Sequence, residues 1–140
     1  MPFDSTDFLS NPEIDINSKE ARLRHLIEIL KSVPPAQFNM NNWRCKTSAC
    51  AAGWAGIDSL FNSMGFYSHE SGNCIGIIYT SPRGLIYEYT SACMKFFQLT
   101  LVEAEYIFIP GTYQNRQTIK ISQVIARIES LLKGKLNYAF

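Results

Sequence analysis

Apolar residues recur at helical spacing near both ends of this chain and gather into strand-like runs near its middle. Leu23, Leu26, Ile27 and Leu30 fall three and four residues apart, one stripe of an amphipathic helix. Asn17 stands where an N-cap belongs, with Glu20 three residues on. Ser32-Val33-Pro34-Pro35 supplies the stop, because proline pushes the residue before it out of helical backbone geometry. Towards the other end, Ile121, Val124, Ile125, Ile128, Leu131 and Leu132 make a stronger stripe, opened by Thr118 and closed by Gly134. Between them, 74–80 and 85–89 are rich in isoleucine and tyrosine, as strands are. Ser81-Pro82-Arg83-Gly84 separates them, and glycine two residues after proline suits a hairpin turn with a left-handed closing residue. A short helix is expected over 91–97. Thr100-Leu101-Val102-Glu103 has the sequence of a capping box and opens another, stopped near Pro110-Gly111.

The densest run of small residues, 49–56, follows an aromatic-rich loop. Phe38, Met40 and Trp43 are expected to plug the core from that loop. Thr47 or Ser48 then caps a helix over about 49–64, with Gly65 as a left-handed stop. Ala49, Gly53 and Gly56 line up along that helix, as do Ala52 and Gly56. Each glycine inside a helix costs about 1 kcal/mol relative to alanine, so the stripe predicts compensation from a closely packed neighbouring backbone. Cys50, Trp54, Ile57 and Phe61 share the adjoining face and are expected to supply the bulky half of the contact. Residues 66–72 read as turn. The expectation is a mainly α domain, 17–140, of four to five helices with one short β-hairpin at about 74–89 (α+β). An irregular, acidic arm, 1–16, docks on it through Phe3, Phe8 and Leu9.

Composition narrows the function. The chain has 140 residues, 46% of them apolar, enough for one globular core. Its net charge is +1 with both signs interspersed, which lacks the basic excess of a nucleic-acid binder. No apolar run approaches the ~20 residues that span a bilayer, and Met1-Pro2-Phe3-Asp4-Ser5 is unlike a secretory signal. A cytoplasmic location is expected, and with it reduced cysteines.

Candidate chemistry is sparse. Cys45 and Cys50 lack the second ligand pair of a zinc site, so no metal and no cofactor is expected. A disulfide between them would need an oxidising compartment; Cys50 as a small buried apolar residue is the simpler reading. A thiolate at Cys50, favoured by a helix N-terminus, would need His25 or His69 as its base. His25 reads as a surface or flank residue of the first helix, and His69 as solvated in a polar turn. Asp4, Asp7, Glu13 and Asp15 read as a solvated cluster, and Gly53 and Gly56 do not make a phosphate loop.

Phe38, Met40, Trp43, Cys45, Thr47, Ala49, Cys50, Ala52, Gly53, Trp54 and Ala55 together form a segment that resembles F-(D/N)-M-x-x-W followed by C-x-T-x-A-C-x-A-G-(W/H)-A. This pattern is found in a functionally unassigned family of small bacterial and bacteriophage proteins. Leu99 to Ala104, Ile107 to Pro110 and the last helix extend the likeness over about 18–133, the hairpin being an elaboration. Lys46 stands where the pattern usually has glycine, and Trp54 stands where some members carry histidine, which removes a possible metal or base position. The resemblance implies a helical domain that travels with phage and mobile elements, with Trp43, Cys45, Thr47, Cys50, Gly53 and Trp54 as its structural motif.

Tyrosine and arginine are enriched at binding hot spots. Tyr79, Arg83, Tyr87 and Tyr89 on the hairpin are therefore the candidate contact residues. The expected function is a non-catalytic, phage-related interaction protein that modulates a host or partner protein by covering its surface. A second copy of the chain is an alternative partner; nucleic acid and membrane are not expected. The competing readings are a binder of a small, nucleotide-like ligand between the small-residue helix and the aromatic loop, and a cysteine-dependent enzyme.

Overall fold

The computed structural model describes residues 16–41, 50–68 and 76–134. The arm at 1–15, the motif residues Trp43, Cys45 and Thr47, and also His69 and Cys74 lie outside the described residues. Six α-helices are described: α1 (Lys19–Lys31), α2 (Ala51–Ala55), α3 (Ser59–Ser63), α4 (Tyr89–Phe97), α5 (Leu101–Phe108) and α6 (Ile121–Leu132). Single 3-10 turns occupy Pro35–Gln37 and Pro110–Thr112. Strands β1 (Phe66–Ser68), β2 (Ile77–Thr80) and β3 (Ile86–Glu88) form an antiparallel sheet in the order β1-β2-β3. The α+β class holds, but six helices are described against the four to five expected. The hairpin has a third strand, because residues 66–68, read as turn, pair with β2.

Ser18 caps α1, one residue after the expected Asn17, by accepting the Ala21 amide at 3.1 Å. Asn17 is drawn off by Arg22, whose guanidinium donates to the Asn17 Oδ1 and to the Phe96 carbonyl. The stripe Leu23, Leu26, Ile27 and Leu30 is buried as its spacing required. At α5 the capping box is complete: Glu103 N donates to Thr100 Oγ1 at 3.2 Å, and Thr100 N to Glu103 Oε1 at 3.0 Å. The last helix starts at Ile121 and not at Thr118. Asn115 holds 115–118 in a turn, and Gln123 Oε1 reaches back to the Lys120 amide at 2.7 Å.

The expected helix over 49–64 is broken in two. Two carbonyls that its continuation would have used are taken by β1 instead. Ser68 N donates to the Gly56 carbonyl and Ser68 Oγ to the Gly53 carbonyl, each at 2.9 Å. Asp58 then starts α3, its carboxylate accepting the Phe61 amide at 3.1 Å, as aspartate does at an N-cap. The small-residue stripe does admit a close backbone, and that backbone is β1. A Cβ on Gly56 would sit 2.3 Å from the Ser68 amide nitrogen. Of the bulky face, Cys50 and Phe61 are buried; Trp54 is half-buried and Ile57 exposed, contrary to expectation, because the break turns them outward.

The core is an aromatic cluster. Phe96 stacks on Phe66 with ring centroids 4.6 Å apart, and Phe61, Phe97 and Tyr79 meet it edge-on at 4.8, 5.0 and 5.3 Å. Helix α4 carries Phe96 and packs across the inner face of β2, while α1 packs on α2 and α6. Met40 is buried as expected and Phe38 packs at the core's margin.

Candidate functional site

Two surfaces emerge, one on the sheet and one beside α1. On the sheet, the turn closes as the sequence requires. Gly84 N donates to the Ser81 carbonyl, Ser81 N to the Leu85 carbonyl, both at 2.9 Å, and Gly84 has φ +84°. The register sets Phe66, Tyr79 and Tyr87 in one row and Tyr67, Ile78 and Glu88 in the next. Alternation then sends the first row to the core and the second to the outer face.

The four candidate contact residues therefore separate. Tyr79 is only 8% exposed and stacks with Tyr87 at 6.2 Å, so its place on a contact surface is corrected to a place in the core. Tyr87 is half-buried beneath Lys95, whose Nζ lies 5.5 Å from the ring centroid. Tyr89 is partly exposed at the first turn of α4, in left-handed backbone (φ +53°), with its ring against Gly76. Arg83 alone projects from the turn tip as expected.

In their place the outer face presents Ile86, 67% exposed, with Tyr67 at 38%; Leu85, 54% exposed, precedes Ile86 where the turn closes. Sequence reading passed over Leu85 and Ile86 because a two-stranded hairpin leaves open which of its faces is covered. The signal lay in register, since Ile86 pairs with Thr80 on the face opposite Tyr79. Arg83 and Glu88 flank this patch, and neither carries a side-chain hydrogen bond or ion pair among the described residues.

The second surface is an open hollow of about 350 Å3 between α1 and the α2–α3 junction, lined by His25, Glu28, Ile29, Ser32, Trp54, Ile57 and Asp58. His25 is half-buried here, on the flank of α1 and not at its open surface. Its Nε2 lies 2.9 Å from Asp58 Oδ2, and its ring meets Phe61 edge-on at 4.8 Å. Burial works to raise the Asp58 carboxyl, but hydrogen bonds from His25 and from the Phe61 and Leu60 amides outweigh it and hold the group below its ordinary value. The ionised carboxylate only accepts, so the imidazole Nε2–H is the donor. Neighbour effects set this pairing, since His25 and Asp58 are 33 residues apart.

A group whose carboxyl is depressed on folding stabilises the fold above its unfolded value, about 4, and loses that contribution as pH falls through its folded value. Asp58→Asn is therefore expected to lower stability by about 1–2 kcal/mol at neutral pH, through the weakened cap and the lost His25 bond. That difference should shrink as pH falls from about 4 towards the lower folded value, where wild-type Asp58 itself takes up a proton. Urea unfolding of both proteins at neutral and acid pH measures it. A difference unchanged by acid would remove the ionised pairing.

Cys50 sits in a different hollow, about 170 Å3, with Met40, Asn41, Phe108, Ile109, Pro110 and Arg116, and no histidine is among the described lining. Burial pushes its thiol up to about 11, against backbone hydrogen bonds that act to lower it. Helix-terminus activation, the alternative reading, is overridden because α2 is five residues long and Cys50 is 1% exposed, in keeping with its reading as a small buried apolar residue. Cys93 is likewise raised by burial, and by the Cys50 charge. Gly53 is buried, and Trp54 fixes its indole by donating Nε1–H to the Gln37 carbonyl at 3.0 Å.

No protein-family model, curated protein or solved structure matches this chain. Among the described residues, no helix is long and apolar enough to cross a membrane.

Proposed function

We propose that this protein is a non-catalytic interaction module that docks a partner protein on the outer face of its three-stranded sheet. The observation that carries the reading is the exposure of Ile86 on the outer face of the sheet's edge strand, with Leu85 exposed beside it at the turn, while the sheet's opposite face is sealed into the core. Arg83 stands beside them without a side-chain partner among the described residues. Covering an Ile or Leu side chain fully is worth about 1.5–3 kcal/mol, and arginine adds directional donors at the rim. A stable interface needs roughly 800 Å2 from each partner, so the footprint extends past these residues to Tyr67 on the same face. The raised Cys50 thiol speaks against the cysteine-enzyme reading. Residues 38–55 resemble a family found in bacteria and their phages, which makes a bacterial protein the partner to seek, in the cytoplasm.

The test is capture from bacterial lysate with mass spectrometry, comparing wild type with Ile86→Asp and Arg83→Glu. Both positions are exposed, so their melting temperatures should stay near wild type. A partner enriched by wild type and at least about tenfold weaker with either variant is expected, tenfold being 1.4 kcal/mol. Capture of the same proteins by all three would remove the proposal.

A further inference from the structure

We propose that the hollow beside α1 binds an organic cation, an alkylammonium or guanidinium group carried on an apolar stem. Its lining has the three parts such a ligand needs. Ile29 and Ile57 form apolar walls, Ile57 being 39% exposed. The Trp54 indole is half-buried and pinned through its Nε1–H to the Gln37 carbonyl, which leaves its ring as a fixed wall. A cation over an indole face is the strongest of the cation–π pairings. Two carboxylates, Glu28 and Asp58, complete the lining, and no lysine or arginine is among the described lining residues.

The carboxylates have different roles. Asp58 is committed to His25 and to the Phe61 amide, so it supplies field and not a displaceable site. Among the described residues Glu28 pairs only with Lys31, at 3.4 Å, and both side chains are about 60% exposed. Such a pair contributes little, so a ligand cation displaces Lys31 at small cost. Glu28 is thus the ion-pairing group, Trp54 the stacking wall, and the two isoleucines the channel for the stem. The volume, about 350 Å3, lies at the lower end for small-molecule sites and suits one such group. No residue is shared with the sheet face, so this site stands or falls independently of the proposed docking surface.

The cation's source is either a free small amine or guanidine, or the side chain of a basic protein segment. The experiment titrates the 15N-labelled full chain with n-butylguanidinium, with acetyl-Gly-Arg-Gly-amide and with butyrate. The Trp54 indole N–H resonance is followed, assigned through Trp54→Phe. A saturable shift with Kd of order 1 mM is expected for butylguanidinium, at least about fivefold weaker in Glu28→Gln, and none for butyrate. Tighter binding of the peptide than of butylguanidinium would support the site and mark a protein side chain as its occupant. The reverse order would support it with a free small cation. Glu28 is exposed, so Glu28→Gln leaves the fold intact and a lost shift reports the site. Absence of a saturable shift for both cations, an equal response to butyrate, or an unchanged Kd in Glu28→Gln would overturn the proposal.

Discussion

Gly56→Ala is expected to destabilise the fold by about 3–5 kcal/mol, although alanine is the better helix former by about 1 kcal/mol. The backbone at Gly56 has φ −74°, which alanine adopts freely, so conformational strain contributes nothing. The effect is steric. The new methyl would stand 2.3 Å from the Ser68 amide nitrogen, 2.7 Å from its Cβ and 2.8 Å from its Oγ. Two of those are anchored groups, because Ser68 N binds the Gly56 carbonyl and Ser68 Oγ the Gly53 carbonyl. Moving β1 away relieves the overlap but breaks both bonds inside a buried site. Overpacking of this kind costs about 1–3 kcal/mol, and each buried polar group left unpaired about 1–3 more. Gly84→Ala is the control. It has φ +84° and no atom within 4 Å of its Cβ position, so strain alone acts, about 1–2 kcal/mol. Urea midpoints for the two variants order the effects. A Gly56→Ala midpoint within error of wild type would refute the close contact.

That contact also marks how far the sequence could be read. A run of glycine and alanine at spacings of three and four requires a near neighbour, and the neighbour exists. Which element it would be was not legible, because β1 is three residues long and its pairing depends on β2, nine positions beyond Ser68. The same long-range pairing splits the helix at 56–58, where β1 takes the Gly53 and Gly56 carbonyls and the Asp58 cap starts a new helix. The capping box at Thr100 and the turn at 81–85 were legible, since each is settled by residues within four positions of one another. Burial on the hairpin was half legible. Alternation separates Tyr79 from Ile86, but only the packing of α4 decides which of them is covered. His25 and Asp58 lay beyond reach for the same reason: their hydrogen bond joins two elements 33 residues apart.

Phe96→Ala is expected to be comparably damaging, about 4 kcal/mol, for the opposite reason: it removes volume where Gly56→Ala adds it. Phe96 is fully buried and is the ring on which helix α4 and the sheet converge. It stacks on Phe66 at 4.6 Å and takes Phe61, Phe97 and Tyr79 on its edges. The Arg22 guanidinium lies 4.4 Å from its centroid while donating to the Phe96 carbonyl. A domain of this size is stable by about 5–15 kcal/mol in total, so the alanine variant sits near the margin of folding. Phe96→Leu keeps most of the apolar volume and should lose about 1–2 kcal/mol, which provides a foldable variant. The arginine then separates packing from ring chemistry. If the guanidinium draws on the ring's face, Arg22→Met should be about 1 kcal/mol less harmful in the Phe96→Leu background than in wild type. Additive losses in that double-mutant cycle would mean Arg22 is held by its carbonyl acceptors alone. The docking face offers a further check, because Ile86 lies on the sheet face opposite Tyr79, which packs on Phe96. Phe96→Leu should therefore lower the urea midpoint and leave partner capture unchanged, the reverse of the pattern expected for Ile86→Asp.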